Sequence, residues 1–137
     1  MTPSEYQNPI LCADYSDPDI VRVGDDFFMV SSSFNHVPAL PILHSTDLVN
    51  WTIINHVMDE LPLPGYDRYQ PGKGVWAPSI RWHDGKLWVC FSTPDEGIFI
   101  CHTEDPWGEW SAPHCLREAR GWIDPCPFWD DNGQAWL

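Results

Sequence analysis

Three segments of this chain open in the same way: Asp17-Pro18-Asp19-Ile20, Ala77-Pro78-Ser79-Ile80 and Asp124-Pro125-Cys126-Pro127. In the first two copies a turn lies six to eight residues after the proline, at Gly24-Asp25-Asp26 and at Asp84-Gly85, and an aromatic strand follows. Those strands are Phe27-Phe28-Met29-Val30 and Leu87-Trp88-Val89-Cys90, and the third copy repeats the order around Asp131-Asn132-Gly133. Asp-Gly and Asn-Gly supply the positive φ of a tight hairpin, so each copy predicts two short antiparallel strands. The likeness continues downstream, where His44-Ser45-Thr46-Asp47 with Trp51 matches His102-Thr103-Glu104-Asp105 with Trp110. Units that start 60 and 47 residues apart, each with about four short strands, fit a propeller blade better than a sandwich.

The composition agrees with that reading. The chain has 137 residues and 14 prolines, about twice the average share of roughly 5%, which leaves no room for long helices. The stretch from Leu61 to Gly74, rich in Pro and Gly, reads as a loop between blades, because the repeat resumes directly after it. The predicted fold is therefore all-β, with about two and a half blades present. A propeller closes its ring from at least four blades, so residues 1–137 are expected to be the N-terminal part of a single, larger domain.

Charge narrows the partners. The net charge of −13 and the lack of any Lys/Arg run argue against nucleic acid. No stretch approaches 18 consecutive apolar residues, and Met1 to Gln7 lack the features of a leader, so neither a membrane span nor secretion is expected and a cytoplasmic location is. The five cysteines (Cys12, Cys90, Cys101, Cys115 and Cys126) form no C-x-x-C pair and read as free buried thiols. The six histidines, His36 and His44 among them, show no metal-ligand spacing, and Asp130-Asp131-Asn132-Gly133 reads as a hairpin turn rather than a calcium loop. With no P-loop or dinucleotide fingerprint, neither metal nor cofactor is expected.

The first strand of a blade lines the central channel, so Asp17, Ala77 and Asp124 are equivalent positions facing it. An Asp before Pro often does no more than cap a turn. Ala77 weakens that explanation, because blade geometry that needed an Asp would need one in the second copy too. Two carboxylates on one cavity can divide the roles of base and supporting acid, as in the breaking of glycosidic bonds. Phe34, after the aromatic strand of the first unit, and Trp76, just before Ala77, supply faces on which sugar rings stack. Trp51, Trp88 and Trp110 recur at repeat positions and read as packing residues.

At these residues the sequence resembles glycoside hydrolase family 43. The matching runs are Asn8 to Leu11, Ser16 to Ile20, Val23 to Phe34, Val37 to Ile42, His44 to Trp51, Gly74 to Ile80 and Gly121 to Pro125, and this ordered set extends along essentially the full chain. The resemblance implies a five-bladed propeller and an inverting hydrolase of xylose- or arabinose-containing plant polysaccharides or oligosaccharides, of the β-xylosidase or α-L-arabinofuranosidase type. It further implies that Asp17 is the general base, that Asp124 tunes and orients the general acid, and that Phe34 and Trp76 wall the sugar subsite. The family's general acid is a Glu from a later blade that no residue here matches, so residues 1–137 alone are expected to be inactive. A non-catalytic carbohydrate-binding propeller is the alternative.

Overall fold

The computed structural model describes residues 5–35 and 37–137, so the reading of His36 lies outside the described residues. Ten strands and no helix are present among them. Strands β1 (Asp19–Val23), β2 (Asp26–Val30), β3 (Ala39–Ser45) and β4 (Thr52–Met58) form one antiparallel sheet in chain order. Strands β5 (Trp76–His83), β6 (Lys86–Thr93), β7 (Gly97–Thr103) and β8 (His114–Glu118) form a second. A ribbon of β9 (Phe128–Trp129) and β10 (Ala135–Trp136) begins a third. Each sheet includes the X-Pro step of its repeat copy or starts within three residues after it, and all three predicted hairpin turns lie where expected.

The repeat holds at single-residue resolution. Asp19 pairs with Val30 in the first sheet and Ser79 with Cys90 in the second, so Ser32 corresponds to Ser92 and Phe34 to Pro94. At the far end of the third strand, Ser45 Oγ accepts the Asp47 backbone N–H at 3.1 Å, and Thr103 Oγ1 accepts that of Asp105 at 3.1 Å. The local side-chain bond gives each strand the same exit turn.

The core lies between the two large sheets. Val30, Leu40, Ile42, Val75, Ile80, Val89 and Phe91 are fully buried there, their strands contributing branched and aromatic side chains suited to a pleated surface. The three recurring tryptophans pack as expected, but at the margin of the core rather than inside it. Trp51, Trp88 and Trp110 are half-buried, with Trp110 packed against the margin of the core and the Trp51 and Trp88 indoles donating to the carbonyls of Leu48 and His83. The edge of a sheet gives the Trp51 and Trp88 indoles a carbonyl partner, whereas the Trp110 indole N–H is buried without one among the described residues.

Aromatic residues also join one sheet to the next. His44 packs on Phe28, and Trp107 from the second sheet covers both at 5.3 and 5.6 Å between ring centroids. His102 packs on Trp88 at the equivalent place, and Trp129 from the third sheet reaches Trp88 at 5.6 Å. His44 also bonds Asp26 at 2.7 Å, which gives that histidine the packing role expected of it. The cysteines split: Cys90 and Cys101 are buried, whereas Cys12, Cys115 and Cys126 are exposed, because they fall on the N-terminal segment, on β8 and on the opening of the third unit rather than on central strands.

Candidate active site

Asp17, Ala77 and Asp124 have φ of 49°, 35° and 57°. A left-handed backbone is costly for a residue with a Cβ, and residues held there persist only where their surroundings impose the conformation. Ala77 has no side chain with which to stabilise it. The turn is therefore a property of the repeat, and the carboxylates at two of its three copies are not required to build it.

Asp17 is held by the second strand of its own sheet. Ser32, just beyond β2 and 5% exposed, donates its hydroxyl to Asp17 Oδ2 at 2.8 Å. The same Ser32 oxygen accepts the backbone N–H of Ala77 at 2.8 Å. Two residues further along, Ser79 donates its hydroxyl to the carbonyl of Pro125 at 2.7 Å, next to Asp124. The tripeptide Ala77-Pro78-Ser79 thus holds the Asp17 segment at one end and the Asp124 segment at the other. Among the described residues no cationic side chain pairs with Asp17 or Asp124, and both are exposed.

Asp19, by contrast, is occupied. Its Oδ2 accepts the Ile80 N–H at 2.9 Å and the Arg81 guanidinium at 2.5 Å, and the other arm of Arg81 reaches Cys126 Sγ at 2.8 Å. Arg81 therefore spans the openings of all three units, and the carboxylate it neutralises is unavailable for chemistry. Asp17 is left as the carboxylate of the Asp17-Pro18-Asp19 run that has no cationic partner among the described residues.

Phe34 and Trp76 meet edge to face, with centroids 6.2 Å apart and planes at 74°. Ser33 and Val75 exchange backbone hydrogen bonds of 2.9 Å, and Gly74 N–H reaches the Phe34 carbonyl at 2.9 Å. This strap brings the Phe34 segment against the strand that carries Trp76. Gly121 repeats the contact one unit later, donating to the Pro94 carbonyl at 3.0 Å. Ile123 then precedes Asp124 as Trp76 precedes Ala77, and it is exposed.

The sequence reading missed Ser32, Arg81 and Ile123. Ile123 was available from the alignment of the three copies, whereas the roles of Ser32 and Arg81 depend on contacts between sheets. Among the described residues no three His, Cys, Asp or Glu side chains converge as metal ligands. The arrangement offers two unpaired carboxylates joined through one short segment, beside a right-angled aromatic corner. Such carboxylates can take a proton from a water or hold one in place, and the aromatic corner can seat the apolar face of a sugar.

The fold is all-β, a succession of four-stranded antiparallel sheets of the kind that form the blades of a β-propeller. The sequence model of the glycosyl hydrolases family 43 matches residues 6–137, and the chain belongs to that family. It is 42% identical over 135 residues to a xylosidase/arabinosidase of Butyrivibrio fibrisolvens, covering 94% of this chain and 25% of that protein. It is 38% identical over 127 residues to a non-reducing-end α-L-arabinofuranosidase of Bacteroides ovatus, covering 88% of this chain and 23% of that one. The crystal structure of a GH43_12 protein from a capybara gut metagenome superposes with a TM-score of 0.82 at 39% identity, over 93% of this chain and 24% of the other. The chain spans about a quarter of the length of the curated relatives it matches.

Proposed function

We propose that residues 1–137 form the N-terminal part of a single catalytic domain, a five-bladed propeller that hydrolyses O-glycosidic bonds of xylose- or arabinose-containing plant polysaccharides or oligosaccharides with inversion. The observation that carries this reading is the pair of cation-free carboxylates at equivalent repeat positions, Asp17, linked through Ser32 to the Ala77 N–H, and Asp124, whose neighbour Pro125 accepts the Ser79 hydroxyl. Membership of family 43 and relatives named for xylose and arabinose linkages support the substrate class.

In this mechanism Asp17 takes a proton from the water that attacks the anomeric carbon, on the face opposite the leaving group. The Ser32 hydroxyl fixes the carboxylate and leaves its other oxygen for the water. A Glu beyond residue 137 protonates the leaving oxygen, and Asp124 orients that acid by its charge. Inversion needs room for the water, so base and acid stand roughly 6.5–9.5 Å apart. Phe34 and Trp76 wall the sugar. Residues 1–137 alone carry the base without the acid and are expected to be inert.

The test uses the complete protein with aryl xylosides and aryl arabinofuranosides. Asp17→Asn keeps size and removes the base, and kcat is expected to fall by roughly 10²–10⁴-fold with binding retained. Asp124→Asn is expected to hit poor leaving groups hardest, and proton NMR of the first-formed product to show the inverted anomer. Sugar binding without turnover in the wild type would establish the non-catalytic reading instead, and a retained anomer would overturn inversion.

A further inference from the structure

The loop between β4 and β5 is fastened more heavily than a connection requires. Tyr66 donates its hydroxyl to Glu96 Oε2 at 3.0 Å, and burial together with the Glu96 carboxylate pushes the phenol far above its ordinary range, so it stays a donor. Lys73 pairs with Asp95, and Gly72 N–H reaches Asn35 Oδ1 at 2.6 Å. Pro62, Pro64 and Pro71 stiffen the same stretch. Between these anchors Tyr69 is 71% exposed, with no hydrogen bond or ring partner among the described residues. A large aromatic side chain held out on a rigid loop is suited to a ligand rather than to the fold.

Beside it lies a cavity of about 260 Å³ lined by Phe34, Asn35, Tyr66, Arg68, Tyr69 and Gln70. We propose that this cavity is a subsite for a neutral pentose unit of the substrate, beyond the unit whose bond is broken, and that Tyr69 is its stacking face. The inference rests on the hydrolytic reading given above. Its size falls just under the roughly 300–1,000 Å³ of drug-sized ligand sites, which suits one or two sugar rings.

The chemistry of the lining selects the ligand. A pyranose or furanose presents a C–H face to an aromatic ring and a hydroxyl edge to polar groups, and the cavity has both. Asn35 spends its oxygen on Gly72 and keeps its NH₂ free, while Gln70 spends its NH₂ on the Gly65 carbonyl and keeps its oxygen free. One donor and one acceptor therefore remain for hydroxyl groups. Arg68 stands 3.9 Å from Asp67, so the lining carries no net charge that would favour a phosphate or an acidic sugar. Phe34 belongs to both the cavity and the corner with Trp76, so a chain of sugars can pass from one to the other across that ring.

The test compares a neutral pentotriose with a 4-nitrophenyl pentoside of the same sugar, in the complete protein. For Tyr69→Ala the ratio of kcat/KM on the triose to that on the aryl pentoside is expected to fall at least tenfold, mainly through KM, and Tyr69→Phe to restore it. Equal losses on both substrates, or no loss on the triose, would overturn the subsite. Calorimetric titration of the pentotriose into Asp17→Asn, with and without Tyr69→Ala, separates the two readings. Tenfold weaker binding with Tyr69→Ala supports the subsite even if the protein hydrolyses neither substrate, and unchanged binding overturns it.

Discussion

Ser32 and Asp17 are joined by a 2.8 Å hydrogen bond whose donor oxygen is itself fixed by the backbone N–H of Ala77. One hydroxyl thereby couples the carboxylate of the first unit to the strand opening of the second. The equivalent Ser92 donates instead to the Trp76 carbonyl, at 3.4 Å, because the second unit has Ala77 where the first has Asp17. The serine is common to both units, and only the first gives it a carboxylate to position.

Ser32→Ala is expected to lower kcat of the complete protein by about 10- to 100-fold, since a hydrogen bond to a charged group contributes about 1.5–3 kcal/mol and each 1.36 kcal/mol is tenfold in rate. KM should change less. Stability should also drop by about 1–3 kcal/mol, because the Ala77 N–H is left without its partner. Ser32→Thr keeps the hydroxyl and should recover most of the rate. Normal kcat for Ser32→Ala would show that Asp17 needs no such support.

Gly74 and Gly121 hold the same repeat position under opposite constraints. A Cβ on Gly74 would stand 2.0 Å from the Ser33 carbonyl oxygen and 2.8 Å from that of Phe34, both backbone atoms. A Cβ on Gly121 would meet open space, although its φ is +74°. Gly74→Ala should therefore cost at least about 3 kcal/mol, at the upper end of overpacking, by forcing the Ser33–Val75 strap apart. Gly121→Ala should cost only about 1–2 kcal/mol of backbone strain. Thermal melts of the two variants should rank in that order, and equal melting temperatures would refute the close approach.

How much of this was readable beforehand follows from the range of the interactions. The Asp17, Ala77 and Asp124 copies, the hairpin turns and the likeness of the His44–Asp47 and His102–Asp105 runs rest on neighbours within a few residues and are legible from spacing, whereas the exit turns made by Ser45 and Thr103 appear only in the structure. The family resemblance puts Phe34 and Trp76 on one sugar subsite, but that their rings meet edge to face depends on the Ser33–Val75 strap, which no local pattern encodes. Arg81 reads as an ordinary strand cation until Asp19 and Cys126 are brought beside it. The tryptophans pack as their recurrence implies, but at the margins of the sheets rather than in the fully buried centre, and at those margins a nearby carbonyl accepts the indole N–H of Trp51 and of Trp88.

Asp19 and Arg81 should behave as a coupled pair. Burial works against the guanidinium charge, yet the Asp19 carboxylate beside it holds the proton above its ordinary range. The two side chains are 30% and 35% exposed, so solvent screening trims the interaction. A double-mutant cycle with Asp19→Asn and Arg81→Met should give a coupling of about 1–2 kcal/mol, from denaturant melts of the four proteins. Additive effects would mean that the pair is geometric only.

The thiols should divide by burial. Burial pushes Cys90 and Cys101 up to about 12, whereas Cys12, Cys115 and Cys126 are exposed. Only the thiolate attacks an alkylating agent, so a pKa of about 12 leaves roughly 10⁻⁴ of each buried sulfur reactive at pH 8. Brief iodoacetamide treatment at that pH, followed by peptide mapping, should label Cys12, Cys115 and Cys126 and spare Cys90 and Cys101. The same shift makes stability depend on alkaline pH. Below the ordinary thiol pKa of about 8.5 both folded and unfolded chains keep these protons, so the two thiols contribute no pH dependence there. Above it the unfolded chain releases them while the folded chain holds them until about pH 12, which favours unfolding by about 1.4 kcal/mol per pH unit for each thiol. Denaturant melts should show little thiol-dependent change below about pH 8 and approach that slope between about pH 9.5 and pH 11, and Cys90→Ala with Cys101→Ala should flatten it. Rapid labelling of Cys90 or Cys101 in the folded protein would mean that the two sheets open far more readily than their shared core implies.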